Sequence, residues 1–201
     1  LAFKYNIVSV VLADGIIGQM MEKVQLPPYQ KRLTNDEIRE KYPWATLGKP
    51  ANRKPNVITS LELDSALMEQ RNLNLQKKYK EIEKNEVRYE EIACEDAEYL
   101  LVAFGSSARI CQKTVELARE KGIKLGLFRP ITLFPFPTNE IYAYTNTVKA
   151  ILTVELNAGQ MVEDVRLAVN GTIPVEHYGR MGGIVPTAEE ILEVTEKLIA
   201  K

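Results

Sequence analysis

The chain has 201 residues, 45% of them hydrophobic, enough to bury at least one ordinary core. Lys and Arg total 26 against 27 Asp and Glu; the net charge of -1 gives no support for nucleic acid or an anionic membrane as the main partner. Two cysteines and one histidine exclude a disulfide framework, CxxC spacing for zinc or an iron–sulfur cluster, and a His-rich metal site. Mean hydropathy is -0.19, and no run approaches the ~18–20 apolar residues that span a bilayer. A cytoplasmic globular chain with no redox centre of its own is expected.

The chain opens on Leu1 and runs into a strand-like stretch, Ile7-Val8-Ser9-Val10-Val11-Leu12, as the C-terminal part of a longer polypeptide would. Ala13-Asp14-Gly15 reads as the turn that closes it. Residues 25–60, with Pro27, Pro28, Pro43, Pro50 and Pro55, have loop composition. Within them, Thr34 and Glu37 have capping-box spacing and predict a short helix to Tyr42. Residues 62–91, free of Gly and Pro, predict a long connector helix. Its seam, Met68, Leu75, Ile82 and Tyr89, is narrow and suits a helix lying across its own domain.

Residues 97–201 alternate strand and helix. Apolar runs at Tyr99–Phe104, Lys124–Phe128, Ala150–Glu155 and Pro174–His177 predict strands. Helices are expected from Gly105 to Gly122, from a Thr138 cap to Asn146, around Met161, Val165 and Ala168, and after a Thr187/Glu190 capping box. The fold class is α/β, a mainly parallel open sheet with helices on both faces.

Such a sheet gathers its strand-to-helix loops at the carboxyl edge, where open α/β sheets bind ligands or partners. Taken singly, the motifs there are weak. Gly105-Ser106-Ser107 lacks P-loop spacing and reads as an N-cap by Ser106 or Ser107. His177 has no evident carboxylate partner and reads as structural; Cys111 falls on an apolar helix face. Asp14-Gly15 lacks the later asparagines of a thiamine-diphosphate/magnesium motif. No self-contained active site emerges.

Two segments carry a resemblance. Leu12–Glu22 (Leu-Ala-Asp-Gly-Ile-Ile-Gly-Gln-Met-Met-Glu) is similar to the end of the pyrimidine-binding domain in the alpha subunit of 2-oxoacid:ferredoxin oxidoreductases. Glu155-Leu156-Asn157-Ala158-Gly159-Gln160-Met161, with Gly179-Arg180-Met181-Gly182-Gly183, resembles that subunit's transketolase C-terminal-like domain. The stretch from Trp44 through Gly48-Lys49-Pro50 to Leu61 is most similar to the branch acting on 2-oxoisovalerate.

The resemblance implies a subunit of an enzyme that decarboxylates a 2-oxoacid on thiamine diphosphate, passes electrons through iron–sulfur clusters to ferredoxin, and releases an acyl-CoA. Thiamine diphosphate and Mg²⁺ would be held by a beta subunit, and the clusters by beta or a small ferredoxin-like subunit. Residues 1–24 would end a pyrimidine-binding domain, 25–96 would link, and 97–201 would form the α/β domain. No catalytic, cofactor or metal residue is assigned, and the isolated chain is expected to be inactive. Candidate subunit-interface residues are Glu155, Asn157, Gly159, Gln160 and Met161 in one loop, and Arg180, Gly182 and Gly183 in the next. The competing readings are a nucleotide- or CoA-binding module using the Gly105 and Arg180 loops, and the equivalent domain of a transketolase or 2-oxoacid dehydrogenase.

Overall fold

The computed structural model describes residues 1–49 and 51–200. Pro50, part of the loop and of the Trp44–Leu61 resemblance, and Lys201 lie outside the described residues. The chain divides into two compact units, Leu1–Met20 with the residues from Gln76 onward, and Met21–Leu75.

In the unit Met21–Leu75, Asn35–Lys41 is helical. Thr34 accepts from the Glu37 amide and Glu37 reaches back to the Thr34 amide, so the expected capping box is present. In the other unit, Ala2–Tyr5 forms a single helical turn, α1. In chain order Asn35–Lys41 is then α2 and Ser65–Asn85 is α3. Strands follow at Tyr89–Ile92 (β1), Tyr99–Val102 (β2), Leu125–Pro130 (β3), Ala150–Glu155 (β4) and Val175–Gly179 (β5). The helices between and after them are Gly105–Glu120 (α4), Thr138–Ala143 (α5), Met161–Val169 (α6) and Ala188–Ile199 (α7).

The five strands form one sheet in the order β1-β3-β2-β4-β5. β2, β3, β4 and β5 are parallel and β1 is antiparallel at the edge. Side chains alternate between the two faces, as strand geometry requires. Leu101, Leu127 and Leu152 meet Cys111 and Val115 of α4 and Ile191 and Leu192 of α7. Leu100, Val102, Phe128 and Ile151 meet Ile141 of α5 and Met161 and Val165 of α6. Helices therefore cover both faces, as expected.

Four sequence expectations need correction. The connector helix stops at Asn85, and Tyr89 begins β1 instead of continuing the seam. Helix preference spans only about 0.7 kcal/mol per ordinary residue. Against it stand a ladder to β3 and the Tyr89–Phe128 ring stack at 4.9 Å, worth ~0.5–1.5 kcal/mol beyond burial. The strand wins. Residues 7–12 form no strand, because nothing among the described residues pairs with them; Val8 and Val11 are 84% and 92% exposed. Thr138 is the first helical residue of α5, behind Pro137, and makes no side-chain cap. Ser106 and Ser107 lie inside the first turn of α4, whose N-cap position is Phe104.

At the end of α4, Gly122 donates to Arg119 and Ile123 to Ala118, the two bonds of a Schellman motif. At the start of α7, Thr187 Oγ1 accepts from the Glu190 amide at 3.2 Å and Glu190 Oε2 from the Thr187 amide at 3.0 Å. Thr187→Ala is expected to cost about 0.5–2 kcal/mol, read as a lowered urea midpoint.

The turn α1 is fastened by a buried carboxylate just past α3. Glu86 accepts from Lys4 Nζ at 2.6 Å and Tyr5 OH at 2.7 Å, with Arg88 at 3.3 Å. The Lys4 ammonium, then the Tyr5 hydroxyl, lower the Glu86 pKa from 4.5 to about 2. A carboxylate depressed in the folded state stabilises above its unfolded value and loses that contribution as pH falls through the folded one. Release of Ala2–Tyr5 is thus expected between about pH 4.5 and 2, and not on raising the pH from 5 to 8. Amide exchange of those residues measures it.

Candidate functional site

The parallel strands bring the loops after β2, β3, β4 and β5 to one carboxyl edge. The β4 loop is built around Glu155, whose side chain is 0% exposed. The helix α6 has no side-chain cap of its own at Gln160. Glu155 supplies one from the strand: its carboxylate accepts from the amides of Gln160 at 3.2 Å, Met161 at 2.9 Å and Val162 at 3.0 Å. A negative charge here also faces the positive end of the helix dipole. Asn157 Oδ1 accepts from the Gly159 amide at 2.7 Å and folds the loop back on itself.

His177 lies beside this carboxylate, with Nδ1 3.5 Å from Glu155 Oε1 and 3.3 Å from Thr153 Oγ1. The sequence showed no carboxylate partner for it because β4 and β5 are paired only in three dimensions. Its Nε2 is buried and has no hydrogen-bond partner among the described residues.

In the β5 loop, the Arg180 amide donates to the Glu155 carbonyl at 3.2 Å, tying the two loops together. Arg180 Nη1 donates to Glu190 Oε1 at 3.2 Å, and the guanidinium also meets the Tyr178 hydroxyl. Arg180 therefore braces the loop against the capping box of α7. Beyond it, Met181 and Ile184 are exposed side chains beside exposed Gly182 and Gly183. Among the interface candidates, Glu155 and Met161 are buried; Asn157, Gly159 and Arg180 are half-buried; Gln160, Gly182 and Gly183 face outward. The buried pair shapes the edge without presenting a side chain to it.

The β2 loop is already occupied. The Asp14 carboxylate hydrogen-bonds the Ser106 hydroxyl at the mouth of α4 and accepts from the Ile17 amide at 2.8 Å, and these contacts hold it below the usual carboxylate range. Asp14 thus supplies the cap assigned from sequence to Ser106 or Ser107. It also puts a negative charge where a phosphate would have to sit. A cleft of about 690 Å³ opens alongside, walled by Val10 and Leu12 on one side and Ile131 and Phe134 on the other.

Among the described residues, no group of three or more His, Cys, Asp and Glu side chains could hold a metal ion. Cys94 and Cys111 are free and buried, and burial pushes both thiols up. These residues do not fit an iron–sulfur cluster or a thiamine-bound Mg²⁺. No helix among them is long and apolar enough to cross a membrane.

Residues 97–191 match the family described as pyruvate:ferredoxin oxidoreductase core domain II. The ketoisovalerate oxidoreductase subunit VorB of Methanothermobacter thermautotrophicus is 43% identical over 96% of this chain and 53% of its own length. Along 96% of its length the chain is similar to a subunit of a 2-oxoacid oxidoreductase. The 2-oxoglutarate synthase subunit KorA of Archaeoglobus fulgidus is 29% identical over 98% of this chain and 54% of its own. The chain spans about half the length of the curated relatives it matches. The solved 2-oxoglutarate:ferredoxin oxidoreductase from Magnetococcus marinus superposes with a TM-score of 0.61 at 21% identity, covering 69% of this chain and 24% of that one. That likeness establishes the mainly parallel α/β fold.

Proposed function

We propose that this chain is an alpha-subunit portion of a thiamine-diphosphate-dependent 2-oxoacid:ferredoxin oxidoreductase, converting 2-oxoisovalerate to its acyl-CoA in the cytoplasm. The observation that carries the reading is the 43% identity to VorB across 96% of the chain, against 29% to the 2-oxoglutarate synthase subunit. Its own task on this reading is assembly and shaping of a shared cleft. Thiamine diphosphate, Mg²⁺ and the clusters belong to a beta subunit and a ferredoxin-like subunit, and ferredoxin takes the electrons. Residues 1–24 then close a pyrimidine-binding domain, 25–96 link, and 97–201 form the partner-facing domain. The exposed Val8, Val10, Val11 and Leu12 and the exposed Met181 and Ile184 support a covered surface.

Reconstitution with the remaining subunits tests this. The complex should reduce a viologen dye with 2-oxoisovalerate and CoA faster than with pyruvate or 2-oxoglutarate, and this chain alone should give no turnover. A complex preferring 2-oxoglutarate overturns the substrate. The interface has its own test in Arg180→Ala. An exposed ion pair such as Arg180–Glu190 adds little to the fold. A hot-spot arginine at an interface is worth at least about tenfold in affinity. The variant is expected to stay folded and bind the beta subunit at least about tenfold more weakly; unchanged binding removes Arg180 from the interface.

A further inference from the structure

The single imidazole of the chain sits beneath the loop that joins β4 to α6, and nothing so far accounts for it. Its protonation pattern follows from its neighbours. Thr153 Oγ1 donates its only proton to the Glu176 carbonyl at 3.1 Å. Toward His177 Nδ1, at 3.3 Å, that oxygen can only accept. The other oxygen facing Nδ1, Glu155 Oε1 at 3.5 Å, is a carboxylate. The ring proton therefore belongs on Nδ1, and Nε2 is left buried without a partner among the described residues.

The loop is wrapped around this ring. A β-carbon on Gly179 would stand 2.6 Å from Nε2 and 2.1 Å from the Asn157 carbonyl oxygen. One on Gly159 would stand 3.5 Å from Nε2 and 3.1 Å from Val162 Cγ1. Gly179 thus leaves room for the imidazole on the side where it makes no hydrogen bond, while a side chain at Gly159 would press on Val162 and only touch the ring. A ring held by one nitrogen and enclosed at the other serves shape.

We infer that His177 is a positioning residue: its Nδ1–H holds the ring against Thr153 and Glu155, and through Glu155 it sets the loop 156–160 that the partner meets. The last clause rests on the partner-surface reading above; the loop geometry does not.

The test uses the 201-residue chain labelled with ¹⁵N, in which the sole histidine gives one unambiguous imidazole. Its nitrogen shifts should show the proton on Nδ1. His177→Asn places an amide N–H near the Nδ1 position and should leave the amide signals of Gly159 to Val162 nearly in place. His177→Phe keeps a ring without the donor and should displace or broaden them while the amides of α7 stay unmoved. A proton found on Nε2, or a His177→Phe variant with undisturbed loop amides, overturns the inference. Equal disturbance by Asn and Phe overturns it as well, since the donor would then be irrelevant. Binding to the beta subunit separates the two readings. If the Phe variant's loop moves while its affinity does not, the positioning role holds and the partner surface lies elsewhere.

Discussion

Glu155→Ala is expected to be among the most damaging single substitutions in the chain, lowering stability by about 3 kcal/mol or more. The side chain is fully buried, and it is the acceptor for the amides of Gln160, Met161 and Val162. Hydrogen bonds to a charged group are worth ~1.5–3 kcal/mol each, and a buried donor left unpaired costs ~1–3 kcal/mol. These do not add fully, since the freed helix end can fray and admit water. Glu155→Gln keeps one acceptor oxygen but turns an amide donor toward backbone donors, so about 1–3 kcal/mol is expected. Urea midpoints in the order wild type, Gln, Ala measure the series. An Ala variant within about 1 kcal/mol of wild type would mean that α6 begins without this cap.

What the sequence revealed and what it hid follow one physical division. Strand and helix in residues 97–201 were legible because burial imposes local periods. Leu100 and Leu101 alternate faces, and Cys111, Val115 and Ala118 fall on one side of a helix. The Thr187–Glu190 capping box was legible because its partners are three residues apart. The edge strand β1 was not. Glu90 and Glu91 favour a helix, and the ladder to β3 with Phe128, Arg129 and Tyr144 makes the segment a strand: these three stack on Tyr89, pair with Glu90 and hydrogen-bond Glu91. Residues 7–12 show the converse, a strand composition without a pairing partner among the described residues.

The candidate site divides the same way. Its location at the carboxyl edge follows from strand order alone. The roles of its residues do not, because Glu155 looks like a surface charge in a Glu-x-Asn-x-Gly-Gln-Met run and proves to be fully buried. One signal was available: Gln160 is a poor N-cap, so the first turn of α6 needed an acceptor from elsewhere. Asp14 answers the same need at α4, where Phe104 occupies the N-cap position. Two helices of this unit are thus capped by carboxylates outside their own first turns, one from the end of β4 and one from the Asp14 turn.

Gly179→Ala tests how tightly the loops after β4 and β5 are packed together. A β-carbon there would meet the Asn157 carbonyl oxygen at 2.1 Å, a backbone atom that no rotamer change can move. It would also meet His177 Nε2 at 2.6 Å, and the ring cannot retreat without losing its hydrogen bond to Thr153 and its approach to Glu155. Overpacking costs ~1–3 kcal/mol where neighbours can yield. Here one neighbour is backbone, so a loss at or above the top of that range is expected. Gly182 provides the contrast. Its φ of +71 lies in the left-handed region, but a β-carbon would find nothing within 4 Å. Gly182→Ala should therefore show only the conformational cost, about 1–2 kcal/mol. The loops should respond differently as well. Gly179→Ala should shift the amides of Asn157 to Gln160 across the gap, while Gly182→Ala should disturb only its own turn. If both variants lose equal stability and neither reaches the β4 loop, the close approach of Gly179 to Asn157 does not hold the edge together.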